Sequence, residues 1–193
     1  MKFSEIYMRN DSSNFWNEVP NDECNCGAFA LDLTSWFTPY IYDDDNDKDK
    51  FEEEGDAERF TCYEREHRIA DMIKDNYTEE EVMDVAVEYD WEFILRTCPW
   101  LEPINSVEEA DLDDRVIAYR LMCHYEDDWT TWDIIDDMDY HFRVRIDGIW
   151  YEKCGGGPIR KLGYMYNEGN WHCGYDNSLI YNGKIKYARF KTK

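Results

Sequence analysis

The chain has 193 residues and a mass of 23.3 kDa, which suits a single domain. Its aromatic fraction of 17% can build a sizeable core, and this excludes wholesale disorder. The 21 basic and 44 acidic side chains give a net charge of -23, which excludes broad nucleic-acid binding through counterion release. A basic protein surface is a compatible partner.

Charge is divided unevenly along the chain. Residues 155–193 hold 7 basic and 2 acidic side chains, whereas residues 1–154 hold 14 basic and 42 acidic ones. The most polar stretch, residues 43–58, is interpreted as an acidic surface insertion within one domain that spans 1–193. Because the basic C-terminal segment is rich in aromatic residues, we expect it to form the last strands and to pack on the acidic body.

The first half of the chain shows helical periodicity. Apolar residues in 26–37 and in 57–75 recur on one helix face, which predicts two helices. Pairs of a hydroxyl residue and a glutamate three positions later predict the starts of two more helices. These capping boxes are Thr78 with Glu81 and Ser106 with Glu109.

From Arg115 onward the pattern favours strands. Residues 116–125 are rich in β-forming residue types. Asp147-Gly148 and Asn182-Gly183 stand between strand-like runs, and each predicts a tight hairpin. Helices in the first half and antiparallel strands in the second half together predict an α+β domain.

Cys26 is the candidate nucleophile, because it stands at the start of the first predicted helix. The exposed amides and the dipole of a helix N-terminus lower a thiol pKa and favour the reactive thiolate. The alternative is a buried structural cysteine. An oxyanion hole would combine the Cys26 N–H with a second donor, for which Asn21 and Asn25 are candidates.

His141, in the strand before Asp147-Gly148, is the candidate base. Counting outward from this turn pairs Arg143 with Glu152 and His141 with Cys154, so alternation places these side chains on one sheet face. Glu152 could accept the imidazole N–H and fix the tautomer of His141. The alternative role of Glu152 is a salt bridge with Arg143.

Two regions resemble papain-like cysteine peptidases and amidases, most closely small bacterial and bacteriophage proteins related to NlpC/P60. They are residues 25–31 (NCGAFAL), and residues 139–142 (DYHF) followed by 148–155 (GIWYEKCG). The resemblance implies a papain-like α+β fold, with N-terminal helices followed by an antiparallel sheet. It also implies that Cys26 is the nucleophile and His141 the base, with Glu152 at the third catalytic position.

These motifs predict a cysteine-dependent hydrolase or acyltransferase. Its substrate would be a peptide or protein, cleaved at a peptide, isopeptide or peptidoglycan stem bond. The alternative is an acidic, non-catalytic binding protein on an inactive papain-like scaffold. Such a protein could mimic DNA, inhibit a host nucleic-acid-binding or defence protein, or belong to a virion. Its binding surface would comprise the acidic clusters at 43–58, 108–114 and 126–139.

The seven cysteines are scattered, and the N-terminal sequence lacks a basic-then-apolar segment. We therefore expect reduced thiols in the cytoplasm, which is the host cytoplasm if a bacteriophage encodes the chain, or a place in the virion. We expect no disulfide framework, direct nucleic-acid binding, membrane association, cofactor or metal. An alternative for part of the cysteines is a zinc site, formed by Cys24, Cys26, His172 and Cys173.

Overall fold

The computed structural model describes residues 25–33, 37, 39, 57–123, 130–155, 157, 159–164, 169–173 and 179–191. The described residues form four α-helices: α1 Cys26–Leu31, α2 Ala57–Lys74, α3 Glu79–Thr97 and α4 Thr131–Asp137. They also form eight strands: β1 Leu101–Ile104, β2 Val116–Met122, β3 Asp139–Ile146, β4 Ile149–Lys153, β5 Ile159–Gly163, β6 Trp171–Cys173, β7 Leu179–Tyr181 and β8 Lys186–Phe190. Asn21, Cys24, residues 43–56 of the acidic insertion and residues 126–129 lie outside the described residues.

Six of the strands form one antiparallel sheet, in the order β1–β8–β2–β3–β4–β5. β6 and β7 pair with each other in a separate two-stranded sheet. The predicted α+β class is confirmed, with α1 to α3 preceding all the strands of the described chain. The second predicted helix, over 57–75, is also confirmed as α2.

The large sheet has a hydrophobic core on each face, because side chains alternate between the faces of a strand. The helix-side core joins α1, α2 and α3 to one face, and its members include Phe29, Ile69, Val87, Tyr119, Tyr140 and Phe142. The core on the other face is covered by the paired strands β6 and β7, and we call it the hairpin-side core. Its buried members are Val116, Ala118, Trp150, Trp171, Cys173, Tyr181 and Tyr187. Neighbouring residues of β2 and β3 therefore belong to different cores.

α1 is shorter than the predicted helix over 26–37. It ends at Leu31, because Asp32 adopts a left-handed backbone conformation with φ of 63°, and its N–H is donated to the carbonyl of Ala28. The Asp32 carboxylate lies 3.5 Å from a guanidinium nitrogen of Arg115. A polar residue held in this conformation stops the helix six residues before the predicted end at Phe37.

One of the two predicted capping boxes is confirmed. The Thr78 hydroxyl accepts the N–H of Glu81, and the Glu81 carboxylate accepts the N–H of Thr78 at 2.9 Å. At Ser106 a short helix does begin, the 3-10 turn Val107–Glu109, but the predicted capping box is wrong because the Ser106 side chain caps none of its amides. The Glu109 carboxylate instead accepts from the side-chain amide of Asn105 at 2.9 Å.

One of the two predicted hairpins is likewise confirmed. β3 and β4 are joined by Asp147 and Gly148, whose φ values of 49° and 76° are those of a tight turn. The prediction of a hairpin at Asn182-Gly183 is wrong, because β7 pairs with β6 while β8 pairs with β1 and β2. Gly183 instead permits close approach: a Cβ there would lie 3.1 Å from the carbonyl oxygen of Leu121.

The basic C-terminal segment packs against the acidic body, as its charge and aromatic content predict. β8 is inserted between β1 and β2, so its backbone is paired on both sides. Among the described residues, four ion pairs join this segment to earlier parts of the chain: Lys184 with Asp84, Lys186 with Glu88, and Arg189 with both Glu102 and Asp114. Exposed pairs of this kind each contribute little to stability, so the strand pairing and its buried side chains hold the segment in place.

Asn25 connects three parts of the fold through one buried side chain. Its Oδ1 accepts the N–H groups of Ala28 at 3.0 Å and of Phe37 at 3.2 Å. Its Nδ2 donates to the Phe37 carbonyl at 2.6 Å and to the Tyr140 hydroxyl at 2.8 Å. Asn25 therefore caps α1, fixes the chain beyond α1 and anchors both to β3.

We expect Asn25→Ala to lower the free energy of unfolding by about 3 kcal/mol, because it removes a helix cap and leaves buried polar groups unpaired. The matched control is Thr78→Ala, which removes an exposed cap and costs about 1 kcal/mol. Urea denaturation at pH 7 measures both losses. Equal losses in the two variants would show that the buried Asn25 network contributes no more than an ordinary cap.

Candidate active site

The β3–β4 hairpin assembles the polar part of the predicted site. Its register pairs Arg143 with Glu152 and Arg145 with Trp150, as counting from the turn predicts. The predicted pairing of His141 with Cys154 is not part of the ladder, because β4 ends at Lys153. Ladder pairing is thus lost where the hairpin reaches His141.

Glu152 serves both of the partners proposed for it. Its Oε2 lies 3.3 Å from Nε2 of His141 and 3.0 Å from Nε of Arg143, and all three side chains are buried. Burial raises the pKa of the Glu152 carboxyl, but the hydrogen bonds and charges of His141 and Arg143 outweigh it and hold that pKa below its usual value. Glu152 therefore makes both predicted interactions, the contact with His141 and the salt bridge with Arg143.

Aromatic rings enclose the imidazole. The ring of His141 lies 5.1 Å from that of Tyr181 and 6.1 Å from that of Trp171, measured between centroids. The guanidinium of Arg143 lies over the ring of Trp171, 4.3 Å from its centroid. His141 is only 1% exposed, so solvent reaches neither ring nitrogen freely.

Cys26 is the first residue of α1, where the sequence placed it. Its Sγ lies 3.9 Å from the carbonyl oxygen of Tyr140, and the backbone of Phe142 also hydrogen-bonds the sulfur. The thiol thus approaches the backbone of β3 on either side of His141. Its side chain is 5% exposed and belongs to the helix-side core.

The environment of Cys26 opposes the thiolate. Burial is the largest influence and the negative charge of Asp139 adds to it, so the pKa of the Cys26 thiol rises to about 12. The backbone bonds from Phe142 and Gly27 and the charge of Lys153 lower the pKa by less. The predicted lowering of the Cys26 pKa is therefore wrong, because the effect of desolvation is larger than that of the helix N-terminus.

The structure brings His141 and Glu152 together but does not join Cys26 to either. Among the described residues, no hydrogen bond links the Cys26 thiol to the imidazole. The reason is alternation along β3: Tyr140 and Phe142 face the helix-side core with Cys26, so His141 faces the other core. The predicted thiol and base lie beside the same strand but on different faces.

The structure describes one of the two oxyanion-hole candidates, Asn25. The Asn25 side chain uses both of its polar atoms within the fold, as donor and as acceptor. It is a structural cap, and it offers no amide to a substrate in this arrangement. Asn21 lies outside the described residues.

The expectation that all thiols are reduced is wrong for Cys154 and Cys173, which form a disulfide with a Cα–Cα distance of 5.8 Å. The predicted zinc set is not assembled, because Cys173 is in this disulfide, His172 is exposed and Cys26 belongs to the opposite core. The hairpin register already placed Cys154 on the face of His141. No local signal pointed to Cys173, because its contact with Cys154 depends on how β6 packs against the large sheet.

No protein-family model, curated protein or solved structure matches the chain. Of the helices described, none combines the length and apolar character needed to cross a bilayer.

We expect Cys26 in the native protein to resist iodoacetamide between pH 5 and 9, because its thiol is buried and its pKa is about 12. Cys98 and Cys123, two buried thiols whose pKa values also rise to about 12 through burial, are the matched controls. Mass spectrometry of each cysteine peptide gives the rates. Fast alkylation of Cys26 below pH 8 that His141→Ala abolishes would contradict this and establish a thiolate–imidazolium pair.

Glu152→Gln tests the buried carboxylate. At pH 7 we expect it to lower the free energy of unfolding by roughly 3 kcal/mol, because the variant leaves the Arg143 charge uncompensated. The folded pKa of Glu152 lies below the ordinary 4.5, so its contribution is present above pH 4.5 and is lost as pH falls through the folded value. The difference between wild type and variant should therefore shrink from pH 7 to pH 3. A constant difference would contradict the lowered pKa. Glu102→Gln, at a partly exposed ion pair with Arg189, is the control and should show a much smaller loss.

Proposed function

We propose that the chain is an acidic, non-catalytic binding protein that engages a basic surface on a partner protein. The observation that carries this proposal is the composition of the buried charges. Among the described residues, five basic side chains are buried: Arg65, Arg120, Arg143, Arg145 and Lys153. Only two acidic side chains accompany them, Asp90 and Glu152. The rest of the chain is therefore more negative than the -23 of the whole.

Backbone carbonyls accept hydrogen bonds from two of these buried cations, Arg120 and Lys153. Arg120 donates to the carbonyls of Gly183 at 2.6 Å, Gly169 at 2.8 Å and Asn182 at 3.0 Å. Lys153 donates to the carbonyls of Gly155 and Gly157. Each buried cation removes one positive charge from the surface, which makes the exterior more acidic.

Residues 108–114 show how this acidity is displayed. Glu108, Glu109, Asp111 and Asp113 are exposed within one short segment. Basic side chains bind its backbone: Arg145 donates to the carbonyls of Ala110 and Asp111, and Arg189 to that of Glu109. The arginines thus fix the backbone of the segment, while these four acidic residues remain exposed. A rigid array of negative charge attracts basic protein surfaces and steers their approach.

The state of the thiol agrees with a non-catalytic role. Cys26 is buried with a raised pKa, and His141 is engaged by Glu152 on the other face of β3. We propose further that the architecture is that of a papain-like protein whose nucleophile is not activated. The acidic surface, rather than the thiol, would then carry the function.

A second candidate, the papain-like cysteine hydrolase or acyltransferase, is favoured by a different observation. Cys26 occupies the first position of α1 and approaches the backbone on both sides of His141, and His141 is already held by Glu152. In this reading, thiolate attack on an amide carbonyl forms a thioester and His141 protonates the leaving amine. The iodoacetamide experiment separates the two candidates.

We expect the protein to displace a labelled DNA duplex from a sequence-nonspecific DNA-binding protein, with an affinity that falls as salt rises. Replacing Glu108, Glu109, Asp111 and Asp113 by their amides should weaken displacement about tenfold, because four exposed charge contacts are lost. Cys26→Ala should leave displacement unchanged.

The matched control replaces four other exposed carboxylates, Glu64, Asp71, Asp75 and Glu92 on or next to α2 and α3, by their amides. It changes the net charge equally, so an equal loss would assign the effect to overall charge rather than to residues 108–114. Absence of displacement by the wild type at low salt would contradict the proposed mimicry of DNA. An effect that Cys26→Ala abolishes would favour the hydrolase instead.

A further inference from the structure

His141, Cys154 and Cys173 form a compact cluster on the hairpin-side face of the sheet. One imidazole nitrogen and the two sulfur atoms lie within 4.8 Å of one another. The three residues come from β3, from the position after β4 and from the end of β6. We propose that, once the disulfide is reduced, these side chains form a Zn²⁺ site with two thiolate ligands and one imidazole ligand.

The spacing suits tetrahedral zinc. Zn–S bonds of about 2.3 Å and Zn–N bonds of about 2.0 Å place the ligand atoms roughly 3.5–3.8 Å apart. The observed atoms lie within 4.8 Å, so shifts of about 1 Å bring the nitrogen into position, and breaking the S–S bond lets the sulfurs separate. Cys154 is half-buried, which gives the metal an entry path from solvent.

Glu152 orients the imidazole for this role. Zinc-binding histidines usually donate their second N–H to a carboxylate, which fixes the tautomer and makes the ligand more basic. Glu152 Oε2 lies 3.3 Å from Nε2 of His141, and Arg143 holds the carboxylate in place. With the proton on Nε2, the lone pair of Nδ1 is the one that remains for a metal.

The charge balance also favours zinc in this environment. Two thiolates and one Zn²⁺ form a neutral complex, which a buried site tolerates better than free charges. His141 is 1% and Cys173 is 3% exposed, and both pack around Trp171.

This ligand set differs from the one that the sequence suggested. Of the predicted ligands that the structure describes, Cys26, His172 and Cys173, only Cys173 belongs to the observed cluster. His172 is exposed between two buried residues of β6, because alternate residues of a strand point to opposite sides. The three protein ligands leave a fourth tetrahedral position for water or another small ligand.

Reduction of the disulfide requires two electrons and two protons. A phosphine reductant and one water convert the disulfide into two thiols, and the phosphine becomes its oxide by giving up two electrons. Zn²⁺ then binds as each thiol releases one proton. The disulfide and the metal are thus mutually exclusive, and oxidation of the thiolates by a disulfide oxidant would release the zinc.

The test uses the full chain, reduced with a phosphine, desalted without oxygen and titrated with Co²⁺ as the probe. We expect one Co²⁺ per chain, with the intense visible bands of tetrahedral cobalt and a sulfur-to-cobalt charge-transfer band. Equimolar Zn²⁺ should bleach both. Cys154→Ser, Cys173→Ser and His141→Ala should each weaken binding by more than about 100-fold, since loss of a supporting residue alone costs 10–100-fold.

Cys26→Ser and His172→Ala are the matched controls and should bind Co²⁺ as the wild type does. Loss of binding in these variants, or retention in Cys154→Ser, would overturn the assignment. Because a ligand variant can misfold, the oxidised wild type is a second comparison with an unchanged sequence. It should show no tetrahedral cobalt spectrum, and equal binding by oxidised and reduced protein would also overturn the proposal.

Discussion

The alternation of side chains along β3 is the constraint on which the arrangement of polar groups depends. β3 lies inside the sheet, between β2 and β4, and both of its faces are covered. Tyr140 and Phe142 therefore enter the helix-side core with Cys26, while His141 and Arg143 face the hairpin-side core. A one-residue shift would exchange these groups between two environments, so the register of this hairpin decides which chemistry is possible.

The buried basic side chains give the molecule its unusual division of charge. Arginine is costly to bury unless its donors are matched, and Arg120 meets this requirement with three backbone carbonyls. Arg65 is instead matched by Asp90, which also accepts from Tyr119. Cations thus hold the interior together while carboxylates are left outside. The same distribution stabilises the fold and supplies the acidic exterior.

Local signals predicted those elements in which neighbours along the chain decide the structure. Thr78 with Glu81 and Asp147 with Gly148 act within four residues, and both formed as predicted. The same local signals occur at Ser106 with Glu109 and at Asn182-Gly183, but neither the capping box nor the hairpin forms there. Competing contacts explain the difference, because Glu109 binds Asn105 and Gly183 packs on the backbone of β2. Because no hairpin forms at Asn182-Gly183, β8 pairs with β1 and β2 instead of β7, and no local signal predicts these partners.

The sequence by itself determined the α+β class, the acidic balance and the pairing of Glu152 with Arg143 and His141, because composition and a tight hairpin depend on residues close in the chain. Only the tertiary structure decided the environment of Cys26, since its desolvation results from packing α1 against a strand more than 100 positions later. It also decided that Cys173 meets Cys154 and His141, because β6 reaches them across the sheet rather than along the chain. Burial and long-range contact depend on the whole fold, and no short segment encodes them.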